Sequence, residues 1–126
     1  MLEIICSPQA PKPIGPYSQG VKTETLLFLS GQIPIDPATG KLVEGDIKAQ
    51  TRRVLENARA VLEAGGSSLK QVVKATVFML DLKEFPEMNA IYNEFFVSPF
   101  PARSTIQVAG LPANARVEIE VVAGLK

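Results

Sequence analysis

Apolar and polar positions follow two different periods along this chain. From Ile47, the apolar residues Val54, Leu55, Ala58, Val61 and Leu62 recur at helical spacing until Gly65-Gly66 stops them, and Gly45-Asp46 supplies an N-cap. This pattern predicts a helix. Val72 to Leu80 is a β-branched run, too short for a typical helix, and reads as a central strand covered on most of both sides. Asp81 can cap a second helix, in which Met88, Ile91, Tyr92 and Phe95 form a buried stripe that ends before Pro99 and Pro101. Upstream, after an opening broken by Pro8, Pro11, Pro13 and Pro16, Tyr17 to Lys22 and Leu26 to Gln32 read as two short strands around a polar turn. Gly31 and Pro34 end the second of them, and Asp36-Pro37-Ala38-Thr39-Gly40 is turn chemistry.

The chain closes on two alternating runs, Arg103 to Val108 and Arg116 to Val122, joined by a segment rich in Gly, Pro and Asn. Read as a hairpin centred near Leu111-Pro112, they set Thr105 opposite Glu118, with Arg103 one pair further along. Arg103, Thr105 and Gln107 then share a face, and Glu118 and Glu120 join them. The element order is β-β-α-β-α-β-β, which predicts an α+β fold: a mixed sheet with two helices on one face, within a single domain spanning residues 1–126. The other face of such a sheet stays open. It is expected to carry residues such as Val21, Leu27, Leu29, Gln107 and Val122, depending on register, and a half-apolar face of this kind usually meets another subunit. An oligomer is expected, with sites possible at the subunit boundaries.

Composition narrows the chemistry. The 126 residues are 46% hydrophobic, enough for a real core, and thirteen basic residues balance thirteen acidic ones. A balanced charge gives no field to hold nucleic acid or an anionic membrane, so small organic ligands are the expected partners. There is no histidine, which removes Ser-His and Cys-His nucleophile pairs and the usual neutral-pH proton carrier. Cys6 is the single cysteine, so no internal disulfide forms and no metal site with His or Cys ligands is expected; no cofactor is called for. Cys6 also lacks the electropositive setting of a reactive thiol. With no signal-like start and no 18-residue apolar stretch, the chain is expected to be soluble and cytoplasmic.

Several residues could carry chemistry. Arg103 enters an otherwise neutral strand behind Phe100-Pro101-Ala102, where a guanidinium on stiff backbone can fork onto a carboxylate; a surface arginine at the start of a strand fits its spacing equally well. Glu118 and Glu120 share a strand face, and a carboxylate in a partly dry site can deprotonate or position a water. A solvated charged face is the plainer reading of that pair. Ile14-Gly15-Pro16-Tyr17 places an aromatic hydroxyl after a rigid turn, and Ser30-Gly31 puts small residues at a strand end, where backbone N–H groups can face a ligand. Tyr17 also reads as a half-buried aromatic, Gly31 as a turn residue, and Asn89 as part of a helix surface.

Together, Ala10-Pro11-(x)2-Ile14-Gly15-Pro16-Tyr17-Ser18-Gln19, Ser30-Gly31-Gln32-Ile33-Pro34, Gln50-Thr51-(x)5-Asn57, Val73-Lys74-Ala75-Thr76-Val77-Phe78, Pro101-Ala102-Arg103-Ser104 and Leu111-Pro112-(x)5-Glu118-Ile119-Glu120 closely resemble the RidA/YjgF family over nearly the whole chain. The resemblance implies a chorismate-mutase-like fold, a homotrimer whose sheets form a central barrel, and three pockets between neighbouring subunits. It also implies a 2-iminobutanoate/2-iminopropanoate deaminase, which hydrolyses reactive imino and enamino acids such as 2-aminoacrylate and 2-aminocrotonate to 2-oxo acids and ammonia. On this basis Arg103 matches the arginine that binds the substrate carboxylate. Glu118, with the backbone at Thr105, matches the group that positions the attacking water. Tyr17, Ser30, Gly31 and Asn89 match residues lining the same pocket, with the Gly31 N–H helping to hold the ligand. The chain departs from many bacterial relatives in having Thr105 where they have cysteine, and in a shorter connection from Phe95-Phe96 to Arg103.

An imine conjugated to a carboxylate is already electrophilic, so orienting it beside one water suffices without a metal or a covalent nucleophile. A non-catalytic protein that senses a small carboxylate in the same pocket is the main alternative, and it needs Arg103 but not Glu118. A ribonuclease or translation inhibitor, a label some family members carry, fits less well with the balanced charge and with the lack of an aromatic and basic platform.

Overall fold

The structure is a computed structural model and describes residues 2–125. In chain order its elements are β1 (Glu3–Ile5), β2 (Gly20–Lys22), β3 (Leu26–Leu29), β4 (Ile35–Asp36), β5 (Lys41–Leu42), α1 (Ile47–Ala64), β6 (Val72–Met79), α2 (Phe85–Phe95), β7 (Ala102–Gln107) and β8 (Val117–Gly124). Six strands form one mixed sheet in the order β1-β2-β3-β8-β6-β7, while β4 and β5 make a small separate ribbon. Both helices pack on one face of the large sheet. This is the α+β arrangement expected from the periodicity, with β1 and the β4-β5 ribbon added; those strands are two or three residues long and leave no readable alternation.

The helices form where the pattern places them. The Asp46 carboxylate accepts from the Ala49 N–H at 3.0 Å and caps α1. Gly65 ends the helix and Gly66 follows at φ +82, a backbone conformation that glycine adopts without strain. Val54, Leu55, Ala58, Val61 and Leu62 are fully buried against Leu27, Ala75, Val77, Met79, Ile119 and Ala123 of the sheet. Asp81 caps a short 3-10 turn at Leu82–Glu84 that leads into α2, whose Met88, Ile91 and Tyr92 join the same core.

The expected hairpin of the last two runs does not form. β7 pairs in parallel with β6, β8 pairs antiparallel with the other edge of β6, and the two runs never touch as neighbours. The long apolar strand β6 takes the place between them, because the segment from Val108 to Arg116 is a long connection with its own 3-10 turn at Pro112–Asn114 rather than a tight turn. The register has a further consequence. Arg103 lies beside Ala75 and Thr105 beside Val77, both on the helix side, while Glu118 lies beside Phe78 on the opposite side. Arg103 and Glu118 therefore occupy opposite faces of the sheet, not one.

The open face also differs in membership. Leu27 and Leu29 point into the core, and the Gln107 side chain accepts from the Leu82 N–H at 2.8 Å. Val21 and Val122 do lie on the open face, with Ile4, Phe28, Phe78 and Ile106; Phe28 is 45% exposed and Ile106 44%. Within one chain, β6 is thus covered on its helix side alone. No helix among the described residues is long and apolar enough to cross a membrane.

Candidate active site

Apart from Thr105, the site residues expected from the sequence divide between two cavities. One, of about 470 Å³, is lined by Asn89, Tyr92, Asn93, Phe100, Pro101 and Arg103. It lies where α2 crosses the edge strand β7. The other, of about 420 Å³, opens on the far side of the sheet and is lined by Tyr17, Ser30, Gly31, Glu118 and Glu120, with Ile14, Ile33 and Pro112 as apolar walls. Thr105 lines neither.

In the first cavity the guanidinium is held by aromatic faces. The Arg103 guanidinium carbon lies 4.5 Å from the centre of the Tyr92 ring and 5.5 Å from that of Phe85. Tyr92 in turn stacks on Phe96 with ring centres 4.4 Å apart. The helix carrying these rings is fixed against the sheet by the Leu82–Gln107 hydrogen bond and by an ion pair of Arg116 with Glu84 at 2.7 Å. Arg103 itself has no ion-pair partner among the described residues. A half-buried guanidinium without a carboxylate keeps its full charge for an anion from outside.

In the second cavity a carboxylate is held against glycine. A Cβ on Gly31 would collide with the Glu118 carboxylate, so the carboxylate can lie here only beside a residue without a side chain. The approach of the two segments is set by a two-hydrogen-bond bridge between Gln32 and Ile119, at 2.8 and 3.1 Å. Ser30 is fixed by its hydroxyl, which donates to the Ser18 carbonyl at 2.5 Å, and by its N–H, which donates to the Gln19 carbonyl. Tyr17 closes the rim, its hydroxyl accepting from the Ile14 N–H. Burial pushes the Glu118 carboxyl above the usual glutamate range, and the negative charge of Glu120 pushes it the same way. A carboxylate made more basic in a small cleft is suited to taking a proton from water.

Other residues of the sequence motifs are structural. Asn57 is fully buried and donates to the Ile33 and Ile35 carbonyls, which anchors the loop behind the Glu118 cavity to α1. The Gln50 side chain accepts from the Arg116 N–H, and Gln19 ties down the opening loop through Ser7, Ala10 and Pro11. Sequence reasoning missed Tyr92, Phe100 and Asn93 as lining residues. Tyr92 carries the helical period of a core stripe, and a residue that serves core and cavity together shows only the first in its spacing.

Comparison with known proteins agrees with the fold and the motifs. The family described as Endoribonuclease L-PSP matches residues 7–125. A RutC family protein of Pyrococcus horikoshii is 53% identical over 123 residues, covering 98% of each chain. A protein of Dermatophagoides farinae named 2-iminobutanoate/2-iminopropanoate deaminase is 48% identical over 119 residues, covering 94% of this chain and 93% of its own. The crystal structure of Escherichia coli TdcF with bound serine superposes with a TM-score of 0.93 at 42% identity, covering 97% of this chain and 98% of that one. The chain belongs to this Endoribonuclease L-PSP family, the RidA/YjgF group that its motifs resemble.

Proposed function

We propose that the protein hydrolyses 2-imino acids and their enamine tautomers to 2-oxo acids and ammonia, in pockets that two neighbouring copies of a homotrimer close together. The observation that carries the proposal is the separation of Arg103 and Glu118: each is a charged group without an opposite charge beside it among the described residues of its own chain, in a half-open cavity on its own side of the sheet. Joining the Arg103 cavity of one copy to the Glu118 cavity of the next completes a site with an anion anchor and a base. The apolar open face carrying Phe28 and Ile106 is the surface that such an assembly buries.

In that site the Arg103 guanidinium binds the substrate carboxylate, and Asn89, Tyr17 and Ser30 line the walls. An enamine such as 2-aminoacrylate first takes a proton on its terminal carbon to become the imine. Glu118, with the backbone at Thr105, orients a water and accepts its proton as the oxygen attacks C2. The electron pair of the C=N bond moves to nitrogen, which is protonated. The carbinolamine nitrogen then takes the proton held by Glu118, the C–N bond breaks as the hydroxyl gives its proton to water and the C2 carbonyl forms, and ammonia and the 2-oxo acid leave. Every step uses a carboxylate, a backbone group or water, in keeping with a chain that has no histidine. The name of the mite relative supports the imine substrate.

A second reading has its own support. TdcF was crystallised with serine, a small carboxylate, so a protein that only binds such molecules through Arg103 is the alternative. The family description favours a ribonuclease, but a net charge of zero gives little attraction for a polyanion. The deciding experiment generates 2-aminoacrylate with a serine dehydratase and follows pyruvate release with and without the protein. Acceleration supports the deaminase. Unchanged release, with tight binding of 2-oxo acids, leaves the carboxylate binder.

A further inference from the structure

Tyr92 carries a buried polar group that the fold leaves unused. The residue is 5% exposed, and its hydroxyl oxygen is the buried side-chain polar atom without a hydrogen-bond partner among the described residues. Buried hydroxyls find partners because an unpaired one costs free energy, and phenylalanine would fill the same space without that cost. The ring is accounted for by its stacking on Phe96 and its contact with the Arg103 guanidinium. The oxygen is not.

Arg103 presents the complementary deficit. Two aromatic faces fix its height above the rings but leave the guanidinium free to turn in its own plane, and it has no ion-pair partner among the described residues. We infer that Tyr92 is a positioning residue for anion binding: its hydroxyl accepts a hydrogen bond from an Arg103 N–H and turns the remaining N–H fork toward a ligand carboxylate. A neutral phenol suits this role better than an acidic side chain, because it orients the cation without cancelling the charge the ligand needs. Burial holds the Tyr92 hydroxyl above its usual acidity range, against the opposing pull of Arg103, so it stays neutral.

The inference rests on the reading of Arg103 as the carboxylate anchor, and one experiment separates the two. Binding of 2-oxobutanoate, a stable 2-oxo acid, is measured by calorimetry for the parent protein, Arg103→Ala and Tyr92→Phe, with the Tm of each. The expected result is loss of binding in Arg103→Ala and binding on the order of tenfold weaker in Tyr92→Phe, the size of one lost hydrogen bond to a charged group. The Tm of Tyr92→Phe should be unchanged or higher, since phenylalanine fills the same space and carries no buried hydroxyl to satisfy. Parent-like binding by Tyr92→Phe beside a dead Arg103→Ala overturns the inference alone. A Tm that falls together with affinity also overturns it, by giving the hydroxyl a structural role. Equal binding by Arg103→Ala and the parent, or no binding by the parent, overturns the anchor reading and the inference with it.

Discussion

The Arg103 cavity and the Glu118 cavity hold their charges by different means. Arg103 rests on aromatic rings that belong to a helix already packed into the core, so its support comes from the interior. Glu118 rests on the bare Cα of Gly31, and its neighbours Tyr17, Ser30 and Pro112 come from loop segments held by local hydrogen bonds rather than from the core. The two have one property in common. Neither support carries an opposite charge, so each group is positioned without being neutralised. The Glu118 side is further charged against itself by Glu120, which raises the basicity of the carboxylate at a cost in stability. Two incomplete halves of opposite sign on opposite faces of one sheet are what a site shared between copies requires.

The largest effects should come from separating the halves. Phe28→Asp places a charge in the middle of the apolar open face and is expected to leave single chains by light scattering and activity at background, although both cavities are untouched. Arg103→Ala removes the anion anchor and should cost about a hundredfold or more in kcat/KM, the scale of deleting one partner of a buried charge contact. Glu118→Gln keeps the shape of the other half and should lower kcat by about 10²- to 10⁴-fold, the contribution of a positioned base, with KM little changed.

Smaller effects sharpen the contrast between the two supports. Burial first, and Glu120 second, raise the Glu118 carboxyl, so the ionised form is disfavoured in the folded chain. Below the ordinary glutamate range both folded and unfolded chains are protonated there and no penalty exists; as pH rises through that range, the unfolded chain ionises first and stability falls. Glu118→Gln should therefore raise Tm at neutral pH, with the gain vanishing near pH ~3, below the ordinary glutamate value. Glu120→Gln removes one of the two causes and should shift the acid limb of the pH-rate profile to lower pH; an unmoved limb would show that Glu118 is not the titrating base.

Much of the fold was written in local patterns. The cap at Asp46, the stripe on α1 and the apolar run of β6 each follow from short-range chemistry and lie where the signal places them, whereas Asp81, expected to cap the second helix, caps the 3-10 turn before it. The pairing of the last two strands was not legible. Alternation in β7 and β8 states which residues share a face of their own strand, but not which strand lies alongside, and the parallel insertion of β6 is a choice made by the whole core. That choice reversed the face of Arg103 relative to Glu118. Gly31 could be read as a turn residue; its use as the only side chain small enough to face Glu118 needed the partner strand. Tyr92 lay hidden in a helical stripe for the reason that makes it useful, its dual contact with core and cavity.

The claim that one site draws on two chains is tested most directly by subunit mixing. Arg103→Ala and Glu118→Ala chains, each inactive alone, are co-refolded in equal amounts and assayed for pyruvate release from 2-aminoacrylate. In a cyclic trimer with sites shared between neighbours, random mixing leaves about a quarter of the pockets with both residues intact, so about a quarter of the parent activity should return. Mixed assemblies, verified by mass, that stay as inactive as either variant alone would contradict a shared site.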